Sequence, residues 1–351
     1  MKRNTAALLM IIFIVLISVT ACTKDQQTKE NAKQSEDHTA GNDSGDKSQA
    51  KDRKKIRIVL DWTPNTNHTG LYVAQAKGYF AEAGLEVEIM QPPEGSTTEL
   101  VGAGGAEFGI SFQDTIAPTF ASDFPMPITA VAAIIQHNTS GIISLKTKGI
   151  DTPSKMAGHS YATWDSPVEL AIIKKIVEDD GGKFDDIKLI PNTVTDVVTA
   201  LRTDIDSVWV YYAWDGIATK VAGLDTSFLN FADYGSELDY YSPIIIANDE
   251  FLKNNPEVAK NFLNAVRLGY EYSIANPEEA ADLLLSAVPE LDEAMVKESQ
   301  KWLTDKYKAE VPQWGYIDSA RWDAFYAWLY ENRLVEKEIP AGTGFTNDYL
   351  N

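Results

Sequence analysis

Residues 61–68, Asp61-Trp62-Thr63-Pro64-Asn65-Thr66-Asn67-His68, bring an acid, an indole, two amides and an imidazole into eight positions. Three later stretches have the same character. Residues 109–117 carry Phe112, Gln113 and Asp114; residues 161–171 carry Trp164, Asp165 and Glu169; residues 208–216 carry Tyr211, Tyr212, Trp214 and Asp215. None of the stretches 61–72, 109–117, 161–171 and 208–216 contains Lys or Arg. Flat π faces edged by carboxylates and amides suit a flat, neutral-to-basic heteroaromatic molecule with N–H donors, and stacking contributes ~1–3 kcal/mol per ring in the comparable case of nucleobases. An anion would call for a basic residue as well as helix N-termini. Asp61, Trp62, Asn65, His68, Gln113, Trp164, Glu169, Tyr211 and Trp214 are therefore the candidate ligand contacts.

Several have a competing structural role. Ser166-Pro167-Val168-Glu169 fits a capping box, with Glu169 bonding back to the cap amide; as a ligand contact, the same carboxylate would accept an exocyclic amine. Asn65 suits a turn, and Asp61 suits a cap. Trp62 has the option of only covering a sheet end. Strand alternation puts Tyr211 and Tyr212 on opposite faces, so at least one belongs to the core. A lone imidazole such as His68 is more often structural than chemical. No set of residues reads as catalytic or metal-ligating: the single cysteine, Cys22, excludes a disulfide and a cysteine metal site.

The elements that must position these residues alternate. Residues 56–60 read as a strand, 69–83 as a helix stopping at Gly84, 85–89 as a strand, 96–102 as a capped helix and 108–112 as a strand. The order recurs at 161–163, 167–177, 187–190, 195–202 and 208–210, and such alternation implies parallel sheets. After a strand at 242–246, the chain reads as helices near 257–274, 277–287, 293–307 and 319–333, whose Trp302, Trp322, Tyr326, Trp328 and Tyr330 suit a packed face. The fold class is α/β, in two lobes: 55–145 with 243–351, and 146–242. In open α/β sheets ligands bind beyond the carboxyl ends of the strands, and two crossings between lobes would form a hinged cleft.

Ahead of this, Lys2 and Arg3 precede a 14-residue apolar run, 6–19, too short to span a bilayer. Residues 1–21 thus read as a signal peptide. Residues 23–55 contain no Leu, Ile, Val, Phe, Trp or Tyr, so 22–54 reads as a disordered tether. With 31 basic against 51 acidic residues, net charge −20, a nucleic-acid partner is excluded.

Val19-Thr20-Ala21-Cys22 resembles the bacterial lipobox, which implies cleavage before Cys22 and lipid attachment to it. Leu60-Asp61-Trp62-Thr63-Pro64-Asn65, Ala76-Lys77-Gly78-Tyr79-Phe80 and Gly84-Leu85 resemble the type II periplasmic-binding-like family, within the group shared by nitrate, sulfonate and thiamin-pyrimidine binders. The Ala-Lys-Gly-Tyr-Phe stretch is general to that superfamily; Asp-Trp-Thr-Pro-Asn is specific to the pyrimidine branch. The resemblance implies a two-lobed periplasmic-binding fold. It implies an ABC-importer component, lipid-anchored on the extracytoplasmic face of a bacterial cell membrane, with permease and ATPase subunits as partners. The implied ligand is an aminopyrimidine thiamin precursor, N-formyl-4-amino-5-aminomethyl-2-methylpyrimidine; a monomer without cofactor or enzymatic activity is expected. The alternatives are an alkanesulfonate or nitrate receptor, which would need a cation in the cleft, and a pyrimidine-forming enzyme. Enzymes of this family use a histidine of their own as substrate, and His68 occupies a similar loop. They also carry a cysteine-rich motif, where this chain has Asp239-Tyr240-Tyr241-Ser242-Pro243-Ile244.

Overall fold

The computed structural model describes residues 53–92 and 95–350. The expected signal peptide, Cys22 and nearly all of the tether lie outside these residues. The chain enters on β1 (Lys54–Val59), whose burial alternates before becoming continuous, as an inner strand requires. It then forms α1 (Thr69–Ala76), α2 (Tyr79–Glu82), β2 (Leu85–Met90), α3 (Thr97–Gly102), β3 (Phe108–Ser111), α4 (Gln113–Phe120) and β4 (Ile128–Ala133). A second group follows: β5 (Ser140–Leu145), β6 (Ser160–Thr163), α5 (Pro167–Asp179), β7 (Lys188–Pro191), α6 (Val197–Leu201), β8 (Ser207–Tyr211), α7 (Ile217–Val221) and β9 (Thr226–Asn230). The chain returns through β10 (Ile244–Asn248) and ends in α8 (Asp249–Asn254), α9 (Pro256–Ala275), α10 (Pro277–Ala287), α11 (Glu293–Leu303) and α12 (Ser319–Glu331).

Two five-stranded sheets result, in the orders β2-β1-β3-β10-β4 and β7-β6-β8-β5-β9. The α/β reading holds, but the sheets are mixed rather than parallel. β10 runs antiparallel to β3 and β4, and β5 antiparallel to β8 and β9. The physical reason is the crossings: a strand that arrives from the other lobe need not make the right-handed helical crossover that enforces parallel pairing. β5 belongs to the second sheet, so the first crossing falls between Ala133 and Ser140, earlier than residue 145. One apolar cluster runs through both sheets, joining Ile116, Ile128 and Ile244 to Tyr161, Ile173 and Trp209. Of the aromatics assigned to the terminal helices, Trp322, Tyr326 and Trp328 are buried, whereas Tyr330 is 44% exposed.

α9 lies directly on α1. The backbones meet where Gly70 faces Gly269: a Cβ on Gly269 would collide with the Gly70 carbonyl oxygen, and one on Gly70 with the Tyr270 ring. This contact lets Tyr270 donate to the Asn67 carbonyl (2.6 Å) and Tyr307 to that of Thr66 (2.6 Å), so the terminal helices fix the 61–68 loop. Gly269→Ala is expected to destabilise the protein by ~1–3 kcal/mol through overpacking at a rigid backbone contact. Denaturant unfolding measures this; a variant as stable as the parent would show that the helices separate without cost.

Candidate functional site

Each sheet sends a strand-to-helix loop from the carboxyl end of an inner strand, and each loop presents one tryptophan. After β1, Asn65 caps the next turn: its Oδ1 accepts from the Asn67 amide (2.9 Å) and its Nδ2 donates to the Thr63 carbonyl (3.0 Å). The Asn65 amide donates to His68 Nδ1 (3.2 Å), and His68 Nε2 lies 2.8 Å from Asp61 Oδ1. Because Nδ1 accepts, the proton sits on Nε2 and the imidazole is neutral. His68 is completely buried and Asn65 nearly so. These two expected contacts are therefore struts that leave Trp62, 58% exposed, projecting from the loop.

The second loop, after β6, is built around Glu169. Its carboxylate accepts from the Tyr161 hydroxyl (2.6 Å), Thr163 Oγ1 (3.0 Å), the Trp164 amide (3.0 and 3.2 Å) and the Ser166 amide (3.3 Å). Glu169 is 2% exposed, and both oxygens are engaged from within. The capping-box role is realised, with Tyr161 and Thr163 as additional donors. Trp164 is 41% exposed and leans on Trp209, with ring centroids 5.5 Å apart.

Gln113 is likewise internal: Nε2 donates to the Trp322 carbonyl (2.8 Å) and Oε1 accepts from the Tyr241 amide (2.9 Å). Trp214 packs beside Leu284, Val288 and Val296 of the α10–α11 face. Tyr212 rests on Phe228 of its own sheet and on Trp302 of α11. Tyr211 stacks on Phe112, with centroids 5.7 Å apart and planes at 21°.

Around Tyr211 gather groups that sequence reasoning left unassigned. Its hydroxyl is held well above its ordinary pKa by burial, then by the negative charges of Asp114, Asp61 and Asp215. Burial likewise pushes the Asp114 and Asp215 carboxyls up to about 6, against backbone hydrogen bonds that pull them down. Asp114 Oδ1 is sealed from solvent with no hydrogen-bond partner among the described residues, whereas the Ser242 hydroxyl lies beside that of Tyr211 and the Tyr240 hydroxyl beside Asn138 and Ser140. Tyr240 and Tyr326 also feel the charge of Asp114. Among the described residues, the only basic group paired with any of Asp61, Asp114 and Asp215 is the neutral His68. Tyr240 and Ser242 were visible in the sequence only as a departure from a cysteine motif. Their burial depends on the return crossing into β10, which local pattern does not encode. The groove of about 430 Å³ bounded by Lys220, Glu298, Lys301 and Trp302 lies on the α7–α11 side, where its charges pair (Lys220–Glu298, 2.6 Å), and it lacks this chemistry.

This architecture is that of the periplasmic solute-binding proteins: the chain superposes on the alkanesulfonate-binding protein of Xanthomonas axonopodis pv. citri with a TM-score of 0.63 at 12% identity, covering 85% of this chain and 99% of that one. Residues 65–280 match the model of the NMT1/THI5-like family, and the chain belongs to that family. Among its relatives, the formylaminopyrimidine-binding protein of Halalkalibacterium halodurans is 28% identical over 303 residues, 83% of this chain and 89% of the relative. A 4-amino-5-hydroxymethyl-2-methylpyrimidine phosphate synthase of Saccharomyces cerevisiae is 25% identical over 312 residues, 84% of this chain and 88% of the relative. A Legionella pneumophila protein of the same name is 26% identical over 248 residues, 68% of this chain and 75% of the relative. The expectation that enzymatic activity is absent is corrected by these names: the family joins binders and synthases, and similarity to synthases spans most of the chain. No helix among the described residues is long and apolar enough to cross a membrane.

Glu169→Ala would strand four donors around a buried loop. The loss of one buried partner costs about 1–3 kcal/mol, so a destabilisation of ~3 kcal/mol or more is expected in denaturant melts; a purely ligand-contacting Glu169 would leave the melt unchanged.

Asp114 and Asp215 also set a pH dependence. With folded carboxyls near 6 against the usual 3.8, the native state binds more protons than the unfolded chain between these values. Stability therefore falls as pH rises through that window. Carboxylates pulled down to about 2, such as Asp206 and Glu310, act with opposite sign but only at lower pH. His137, raised by its bond to Asp239, shares the sign of the buried acids. The ligand-free protein should melt at higher temperature at pH 5 than at pH 7 in calorimetric scans, and Asp114→Asn should shrink the difference. An unchanged difference would place the effect at Asp215 or His137.

Proposed function

We propose that this protein is an exported, lipid-anchored receptor that captures an aminopyrimidine precursor of thiamin and delivers it to an ABC permease. The observation that carries the reading is the make-up of the cleft. Two exposed indoles, one on the strand-to-helix loop of each sheet, the Phe112–Tyr211 stack and three carboxylates offer flat faces and acceptor edges, with no Lys or Arg paired to those carboxylates among the described residues. A flat base with exocyclic amines matches it; a sulfonate or nitrate does not, since three anionic groups would repel it. The name of the Halalkalibacterium relative supports the same ligand class. In this reading Trp62 and Trp164 stack on the ring and Asp61 and Tyr211 meet its edge, while Asn65, His68, Gln113 and Glu169 hold the loops. Export and anchoring rest on the apolar run at 6–19 and on Cys22.

The synthase reading is sustained by the names of the other relatives. Both are examined in one experiment: calorimetric titration of the purified protein with aminopyrimidines and an alkanesulfonate, followed by mass spectrometry of the recovered chain and small molecules. One-to-one pyrimidine binding is expected, weakened about 5- to 100-fold by Trp62→Ala, in line with ~1–3 kcal/mol per stacked ring. Sulfonate binding without a pyrimidine signal would sink the proposal; a new phosphorylated pyrimidine and a consumed His68 would establish the synthase instead.

A further inference from the structure

One helix touches a loop segment from each sheet. Val296, Ser299 and Trp302 recur every third residue along α11, so they share a face. That face meets the π-helical turn after β8, Tyr212–Gly216, in reverse order. Trp214 packs beside Val296, the Ser299 hydroxyl donates to the Ala213 carbonyl, and Trp302 meets Tyr212 with ring centroids 5.1 Å apart. The middle position calls for a small residue with a donor, because a backbone carbonyl sits directly on it. A Lys220–Glu298 pair at 2.6 Å closes the outer edge of the contact.

Ser299 has a second partner. Its Oγ lies 2.5 Å from Thr66 Oγ1, on the loop after β1 that carries Trp62. A carbonyl oxygen only accepts, so the Ser299 proton is committed to Ala213 and Thr66 must supply the proton of the other bond. The result is a directed chain from the Thr66 hydroxyl through the Ser299 hydroxyl to the Ala213 carbonyl. Thr66 and Ser299 are completely buried and Ala213 is 1% exposed, so water cannot stand in for a lost member. Thr66 enters the chain with its own carbonyl already held by Tyr307 (2.6 Å) and Thr69 Oγ1 (2.9 Å).

Resting on the aminopyrimidine reading above, we propose that Ser299 is a positioning residue for ligand binding: it touches no ligand, and it fixes the loop of Trp62 relative to the turn that follows Tyr211. A ring that stacks on Trp62 and meets Tyr211 at its edge needs both surfaces in one arrangement, and freedom removed beforehand is not lost on binding. Deleting the Ser299 hydroxyl strands a buried donor on one segment and a buried acceptor on the other. The packing of Trp214 and Trp302 keeps α11 in place without it, so the deletion loosens the register of the two segments rather than the fold.

The test compares the purified full chain with Ser299→Ala, Thr66→Val and Thr66→Ser, by hydrogen exchange without ligand and by titration with N-formyl-4-amino-5-aminomethyl-2-methylpyrimidine. Ser299→Ala and Thr66→Val should each speed exchange at both 61–68 and 211–217 by about fivefold or more, the scale of one buried partner lost, while β1 and β8 keep parent rates. Affinity should fall by about as much in both variants, chiefly through faster release. Thr66→Ser keeps the hydroxyl and should restore parent behaviour, and combining Ser299→Ala with Thr66→Val should cost no more than either alone. Faster exchange at one segment only, unchanged affinity in Ser299→Ala, or Thr66→Ser behaving like Thr66→Val overturns the inference while leaving the aminopyrimidine reading standing. A parent that binds no pyrimidine overturns that reading, whereas faster exchange at both segments still upholds their coupling through Ser299. The two Thr66 variants leave α11 untouched, so they decide the matter even where Ser299→Ala folds poorly.

Discussion

A loop that presents an aromatic ring to solvent at the end of a buried strand must satisfy its own amides from within. Both cleft loops depend on this constraint, and each meets it with one buried hub. Glu169 gathers two hydroxyls and the amides of Trp164 and Ser166. On the other lobe, Asn65 and His68 close a ring through Asp61. Fixed backbones of this kind leave Trp62 and Trp164 as the variable surfaces while removing the entropy that a mobile loop would lose on binding. The cost is that neither hub is free to touch a ligand. Residues that look most chemical in such a loop are consumed by holding it.

Charge is handled differently on the two sides of the interlobe crossings. At the crossings, His137 sits between Asp239 (2.7 Å) and Glu310 (2.9 Å), and Arg321 reaches both acids. Every charge there has a counter-charge, and Glu310 is drawn down to about 2 chiefly by its bond to His137. On the cleft side, Asp114 and Asp215 are pushed the other way by burial, with no Lys or Arg beside them among the described residues. A chain that pairs acids so fully in one place and leaves Asp114 and Asp215 without a basic partner in another carries an electrostatic imbalance around Tyr211. Burying an unmatched carboxylate is expensive unless something positive joins it.

The alternation of elements was legible because it is local. Trp62 was placed by the strand read over residues 56–60 and a turn set by Pro64, and Glu169 by its spacing from Ser166. Long-range facts were not legible. β5 reads as a strand in either lobe, and only pairing with β8 and β9 assigns it. Gln113 gave no sign that its amide would join Trp322 to Tyr241, residues 209 and 128 positions away. Trp214 shares its stretch with Tyr211, yet the π-helical turn over Tyr212–Gly216 rotates it onto the α10–α11 face. Types and spacing gave the character of these loops; which of their side chains are buried as supports and which stay exposed is decided by contacts far apart in sequence.

The same distinction bears on why one family holds both binders and synthases. The fold supplies two loops and a closed polar interior to either, so function is decided by what the interior leaves unpaired. In this chain the histidine of the first loop is paired on both nitrogens and buried, and its surroundings use it to set the loop. Asp114 Oδ1, on the first helical turn after β3, remains unpaired among the described residues, a buried carboxylate oxygen that only a donor would satisfy.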